Sequence, residues 1–227
     1  MYASITGDII SSKNISLSQR DLILEKLQTD FNNISENFPL RYPFEFLRGD
    51  SFQGVSKDLK DALKITLSIK AIFKKNGITT SDSLNKKNGR SYKNLDARIS
   101  IGLGPIEYLH QQLSLSDGTA LQLSGRSLEK MKSLNQKLIV TTEHDEINRE
   151  LRVELKLLDA IIEKWTTHSA EVVYYLLQGN NETQTAQKLG ISQSAVNQRK
   201  KTANWDAIVM LLDNFESLIL QFYTHAL

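Results

Sequence analysis

The spacing of apolar residues changes character several times along the chain, and each change marks an element. "MYASITGDII" is apolar and β-prone up to Gly7, which predicts a buried strand over Tyr2–Thr6 that ends at Asp8. From Ser16 the interval becomes helical. Leu17, Leu22, Leu24, Leu27, Phe31 and Ile34 recur on one stripe, so a helix starts near Ser18. "YPFEFL" and "SFQGV" then flank Gly49 and Asp50 and predict a hairpin. "KDLKDALKITLSIKAIFKKNG" predicts a second helix closed by Gly77. "ITTSDSLNKKNGRSYKN" reads as a long mobile polar loop. "LDARISIGLG" is a strand ending in glycines, "GTALQLSGRSLEKMKS" a helix and "KLIVTT" a short strand. The order is β-α-β-β-α-β with an added helix and strand. That is the ferredoxin-like arrangement, an antiparallel sheet with helices packed on one face, and the fold class is α+β.

The composition shifts after Thr142. "EHDEINRELRVELKLLDAIIEKW" predicts one long amphipathic helix whose stripe is Ile147, Leu151, Leu155, Leu158 and Ile162. That stripe either docks on its own domain or forms a short dimer seam. Residues 166–227 contain further helices and no convincing strand. The expected organisation is a sheet domain over 1–142, a connecting helix over 143–165 and an all-α domain over 166–227. In the last segment Ile208, Leu211, Leu212, Phe215, Leu218, Ile219 and Phe222 are too many apolar residues for one exposed helix. They wrap a core or form a dimer interface.

Composition narrows the chemistry. The 227 residues are 40% hydrophobic and 24% charged, enough to bury a core. Net charge is +2, too mild to argue for nucleic acid by itself. There is no Cys, and the four His lie far apart, which excludes disulfides, thiolate chemistry and a Cys-based zinc site. No apolar run reaches the ~20 residues that span a bilayer. The first residues carry no basic flank or cleavage site, so a cytoplasmic protein with no membrane partner is expected.

Two carboxylates draw attention. In β-α-β-β-α-β order the end of the first strand lies beside the central hairpin, which makes Asp8 and Asp50 neighbours. Asp50 is either a solvated turn residue or one half of a pair. Paired carboxylates repel unless a cation lies between them, and oxygen ligands suit Mg²⁺ or Mn²⁺.

Four segments, in order, resemble motifs of the class III nucleotidyl cyclases: "ITGDIISS", "LRGDSFQG", "RISIGLG" and "GTALQLSGR". Gly118, Ala120 and Arg126 match the last motif in identity and spacing. The resemblance implies that Asp8 and Asp50 bind the metal and that the backbone of Ile9, Ile10, Ser11 and Ser12 faces a nucleoside triphosphate. It implies that Arg126 stabilises charge on the reacting phosphate and that Gln122 takes the place of the family's Asn. Phe46 stands where that family has a base-recognising Lys, and Ser11 where it has a loop Gly.

"ETQTAQKLGISQSAVNQRKKTANW" resembles the helix-turn-helix of bacterial DNA-binding regulators. Ala186, Gly190 and Val196 supply the small residue, the turn Gly and the β-branched residue. Leu189 and Ile191 fill the space between the helices, and Ser192 caps the second. That helix would present Gln193, Ser194, Asn197 and Gln198 to base edges, with Arg199, Lys200 and Lys201 on phosphates. A three-helix protein-interaction module is the other reading.

A cyclase-like domain followed by a helix-turn-helix resembles the SatD family. The expectation is a bacterial DNA-binding transcriptional regulator, a homodimer on double-stranded DNA, whose first domain binds a nucleotide with Mg²⁺ or Mn²⁺. The alternative is an active nucleotidyl cyclase with an accessory helix-turn-helix.

Overall fold

The computed structural model describes residues 1–12, 15, 17–76, 78–80, 91–93 and 95–223. In chain order the elements begin with β1 (Tyr2–Ile9), α1 (Leu17–Asn37), β2 (Leu40–Arg48), β3 (Ser51–Ser56) and α2 (Ala62–Lys75). There follow β4 (Ile78–Thr80), β5 (Ser91–Lys93), β6 (Ala97–Gly104), α3 (Thr119–Leu134) and β7 (Leu138–Thr141). Five helices complete the chain: α4 (Asp145–Glu163), α5 (Thr167–Leu177), α6 (Glu182–Leu189), α7 (Gln193–Thr202) and α8 (Trp205–Tyr223).

The five-stranded sheet has the order β2-β3-β1-β6-β7. β1 is central and runs antiparallel to both neighbours, while β6 and β7 are parallel. A parallel pair needs a crossover, and α3 supplies it. Strand residues alternate in direction, so β1 decides what each face receives. Ala3, Ile5 and Ile9 enter the main core with α1 and α2. Phe52 of β3 lies between Phe31 of α1 and Phe73 of α2, with ring centroids 5.1 and 5.7 Å away.

Ser4 and Thr6 face the other way, toward α3, where both hydroxyls meet Ser124 Oγ at 2.9 and 3.0 Å. Helices therefore cover both faces of the sheet, not one. Gly102 allows α3 its close approach, because a Cβ there would lie 2.2 Å from the Ala120 carbonyl oxygen. Two more expectations change. α2 begins at Ala62, after a turn in which the Ser56 and Asp58 side chains hold backbone amides. The polar loop begins and ends in an antiparallel pair, β4 with β5. Its centre, 81–90, and the closing role of Gly77 lie outside the described residues.

The C-terminal helices extend the same core. Ile147, Leu151, Leu155, Leu158 and Ile162 are at most 2% exposed, so the α4 stripe is packed within its own chain and forms no dimer seam. Ile208, Phe215, Leu218 and Ile219 of α8 are buried there too. Trp165 donates its indole N–H to the Ala203 carbonyl at 3.1 Å, tying the start of α5 to the end of α7. Helix α5 has two apolar sides. Ala170, Val173, Tyr174 and Leu177 join the main core. Val172 packs with Ala186 and Val196 in a small separate core.

A buried charge cluster ties these parts together. Asp96, just before β6, accepts from Lys70 Nζ of α2 at 2.8 Å. Lys137 Nζ, before β7, lies 3.1 Å from the same carboxylate and Lys74 Nζ 3.5 Å. Lys70 is fully buried, and it also donates to the Ala97 carbonyl at 2.7 Å. The Lys137 amide donates to Asp159 of α4 at 2.7 Å, and Lys137 Nζ reaches Glu163 at 2.8 Å. Burial acts to raise the Asp96 pKa, but the Lys70, Lys74 and Lys137 charges outweigh it and hold the carboxyl well below the usual range. Burial pushes Lys70 down against the pull of Asp96.

Asp96→Asn leaves three ammonium groups without their shared carboxylate. It is expected to cost about 3 kcal/mol in urea denaturation. The sign with pH follows from the depressed native pKa. The stabilisation is complete above the unfolded value of about 3.9 and is lost as pH falls from there through the native value. Wild type should therefore lose stability on acidification below about pH 4 more steeply than Asp96→Asn.

Candidate functional site

The first two expected site residues meet at one end of β1. Asp8 pairs across the sheet with Ser51 of β3 and with Arg98 of β6. Asp50 precedes Ser51, and its carbonyl accepts the Ile9 N–H at 3.0 Å. Asp50 therefore stands at the same end of the sheet as Asp8. Gly49 turns the hairpin with a φ of 60°, a left-handed conformation that Gly adopts at no steric cost. Ser11 has a φ of 58° in the turn after β1, and the Ser12 hydroxyl donates to Asp50 Oδ2.

Asp8 has a partner that sequence reasoning missed. Arg98 Nε donates to Asp8 Oδ1 at 2.8 Å and Arg98 Nη2 to Asp8 Oδ2 at 2.6 Å. This is a two-pronged pair between side chains directly opposite on antiparallel strands. The bond to Asp8 raises the Arg98 pKa, burial opposes this, and the charges of Asp8 and Asp50 add to the rise. Lys132 Nζ of α3 lies 4.0 Å from Asp8 Oδ2. Arg98 and Lys132 therefore both answer Asp8 at the strand end, and Arg20 Nη2 lies beside Gly49 in the hairpin turn. Arg98 could have been found by register. If Ile5 is set opposite Ile101, Asp8 falls opposite Arg98.

A divalent cation does not fit these residues as they stand. Both Asp8 oxygens are taken by the guanidinium, and one Asp50 oxygen by Ser12. Among the described residues no group of three or more His, Asp or Glu could hold a metal ion. The amides expected to face a triphosphate are partly spent as well. Ile9 N–H goes to Asp50, and Ile10 N–H to the Asp96 carbonyl at 2.8 Å.

Arg126 and Gln122 are exposed on α3 and bond to each other at 3.2 Å. Gln122 passes the chain on to Asp117, also at 3.2 Å. Arg126 sits six residues before Lys132, about 9 Å along the helix axis, so Lys132 is the α3 cation that meets Asp8. Phe46 stacks on Phe31 at 5.5 Å as part of the core edge.

The second group of expected residues lies on α6 and α7. Asn181 caps α6 in a reciprocal capping box with Gln184. Gly190 ends α6 in the left-handed region at a φ of 63°, and Ser192 caps α7 through the Ala195 amide. Leu189 and Ile191 pack against the Val172–Ala186–Val196 core. Gln193, Ser194, Gln198 and Lys201 are exposed on α7, while Asn197, Arg199 and Lys200 are half-buried. Lys200 is tied to Glu182 of α6 at 2.7 Å, and Arg199 lies 3.6 Å from Glu171 of α5. The bond from Lys200 is the first cause that lowers the Glu182 pKa, with Asn197 and Gln193 adding to it. The two half-buried cations brace the three helices, leaving Lys201 as the exposed cation of the trio.

A profile of the SatD family matches residues 2–211, so the chain belongs to the SatD family. Among curated proteins a search finds no match. Among solved structures the chain is similar to a bacterial light-regulated adenylyl cyclase, with 14% identity and a TM-score of 0.41. The match covers 62% of this chain and 74% of that one, a likeness too loose to carry an inference. No described helix is long and apolar enough to cross a membrane.

Gly7 sets the position of Asp8. A Cβ there would lie 2.3 Å from Phe52 Cζ and 2.8 Å from the Arg98 carbonyl oxygen. Gly7→Ala is expected to cost about 2 kcal/mol by overpacking, read as a lower urea midpoint at unchanged m-value.

Proposed function

We propose that this SatD-family chain is a DNA-binding regulator in which α6 and α7 form the helix-turn-helix and α7 reads base edges. The observation that carries the reading is the outer face of α7. Gln193, Ser194 and Gln198 stand exposed on a short helix fixed by an N-cap, a left-handed glycine and a small dedicated core. Amide side chains of this kind match adenine in the major groove, and a serine hydroxyl serves either partner of a base pair. Lys201 supplies a phosphate contact one turn on. Because Lys200 and Arg199 are held by acids, electrostatic affinity per copy is low, and a homodimer reading two half-sites about 34 Å apart supplies the rest. Exposed Leu157 and Met210, in the groove between α4 and α8, offer that homodimer an apolar face.

The test is fluorescence anisotropy with labelled duplexes, selected from a random library at low salt. Wild type should bind, with affinity falling as salt rises. Gln198→Ala should relax preference at one base pair, a loss of ~1–3 kcal/mol there. Lys201→Ala should weaken all duplexes alike and reduce the salt slope by about one. Lys200→Ala should instead lower stability, by under about 1 kcal/mol, because its partner is Glu182. Absence of duplex binding in low salt, or binding indifferent to both Gln198 and Lys201, would end this reading.

A nucleotide-binding role for the first domain, or the alternative of a nucleotidyl cyclase, draws support from one observation. Asp8, at the end of β1, and Asp50, in the turn before β3, stand at the same end of a sheet whose β2-β3-β1-β6 order is that of the ferredoxin-like arrangement. Against turnover stand the guanidinium on Asp8 and the placement of Arg126 away from it. Pyrophosphate release from each nucleoside triphosphate in the presence of Mn²⁺ separates the two readings. The regulator reading expects none.

A further inference from the structure

We infer that Arg98 is the resident cation of the β1 strand end, and that it does for Asp8 and Asp50 what a divalent ion would do while keeping such an ion out. This rests on the geometry of the sheet and is independent of DNA binding.

Three observations carry it. First, the pairing is built by register. Asp8 and Arg98 are directly opposite on antiparallel strands, so their side chains leave the sheet on the same face. The fork meets both carboxylate oxygens at 2.6 and 2.8 Å. Second, both side chains are largely shielded, Asp8 at 13% and Arg98 at 20% exposure, so the pair is weakly screened by solvent. Third, other charged groups of the chain already surround the pair. Asp50 lies within electrostatic reach of Arg98 and has one oxygen on Ser12, and Lys132 approaches Asp8 from α3.

Mg²⁺ and Mn²⁺ bind carboxylate oxygens at about 2.1 Å in near-octahedral geometry. An ion taking Asp8 must first break two charge-assisted hydrogen bonds. It must then sit beside a guanidinium that cannot lose its proton. A resident guanidinium neutralises the acids permanently, needs no ion from solution and pins β1 to β6 at the point where the chain turns toward Ser12.

The experiment is a Mn²⁺ titration of the full chain, followed by the loss of the free-ion paramagnetic resonance signal and by thermal melting. Wild type is expected to take up no stoichiometric Mn²⁺ and to melt at the same temperature with and without it. Arg98→Gln is expected to melt lower, to bind one equivalent of Mn²⁺ and to regain part of the lost melting temperature with it. Adding Asp8→Asn to that variant should abolish the uptake. If Arg98→Gln is unfolded without metal, refolding in Mn²⁺ should recover the native circular dichroism. Stoichiometric Mn²⁺ uptake by wild type that Asp8→Asn removes would overturn the inference. So would an Arg98→Gln protein that neither binds Mn²⁺ nor refolds with it.

Discussion

The fold turns on Asp96. One buried carboxylate collects ammonium groups from α2 and from the residue before β7, and its backbone carbonyl receives Ile10 at the end of β1. A buried lysine is costly unless its charge is answered, and Lys70 has no exposed route to water. Asp96 must therefore be present, ionised and in place. Through the Lys137 amide the same cluster fixes Asp159, which burial pushes toward its protonated form. A position that looks like a loop before a strand thus decides how the sheet, the α2 layer and α4 are set against each other.

The β1 end repeats the idea on a smaller scale. Asp8 and Asp50 stand at the same end of the sheet, and the Asp8 charge is answered inside the chain by Arg98, with Lys132 nearby. In both places charge is neutralised by side chains of the protein itself. The α6–α7 unit follows the same rule, since Glu182 and Glu171 hold Lys200 and Arg199. What remains outward on α7 is a mostly neutral amide and hydroxyl face.

Much of this could be read from the residues. The strand alternation in "MYASITGDII" and the Gly-Asp turn put Asp8 beside Asp50, because period-two patterning and hairpin chemistry are local. Ser192 and Gly190 marked the α6–α7 boundary for the same reason. The long-range pairings were not legible. Lys70 sits among lysines that look like a solvated helix face, and only the fold brings it, buried, against Asp96 and the Ala97 carbonyl. Arg98 opens a strand motif and reads as a solvated end until the β1–β6 register is known. The α4 stripe left two partners open, its own core or a second copy, since both need the same spacing. That α3 crosses to the opposite face rests on Ser124, Ser4 and Gly102, whose polar or small side chains carry no hydrophobic signal.

The central claim is that the sheet and the C-terminal helices are one cooperative body joined through the Asp96 cluster. Both tryptophans lie in the C-terminal part, Trp165 between α4 and α5 and Trp205 at the start of α8, so their fluorescence reports that part alone. Far-ultraviolet circular dichroism reports every helix and strand. Urea denaturation followed by both probes on the same sample tests the claim directly. The account predicts one coincident transition with one midpoint and one m-value. A fluorescence transition separated from the circular dichroism transition would show helices that unfold independently of the sheet, and would contradict it.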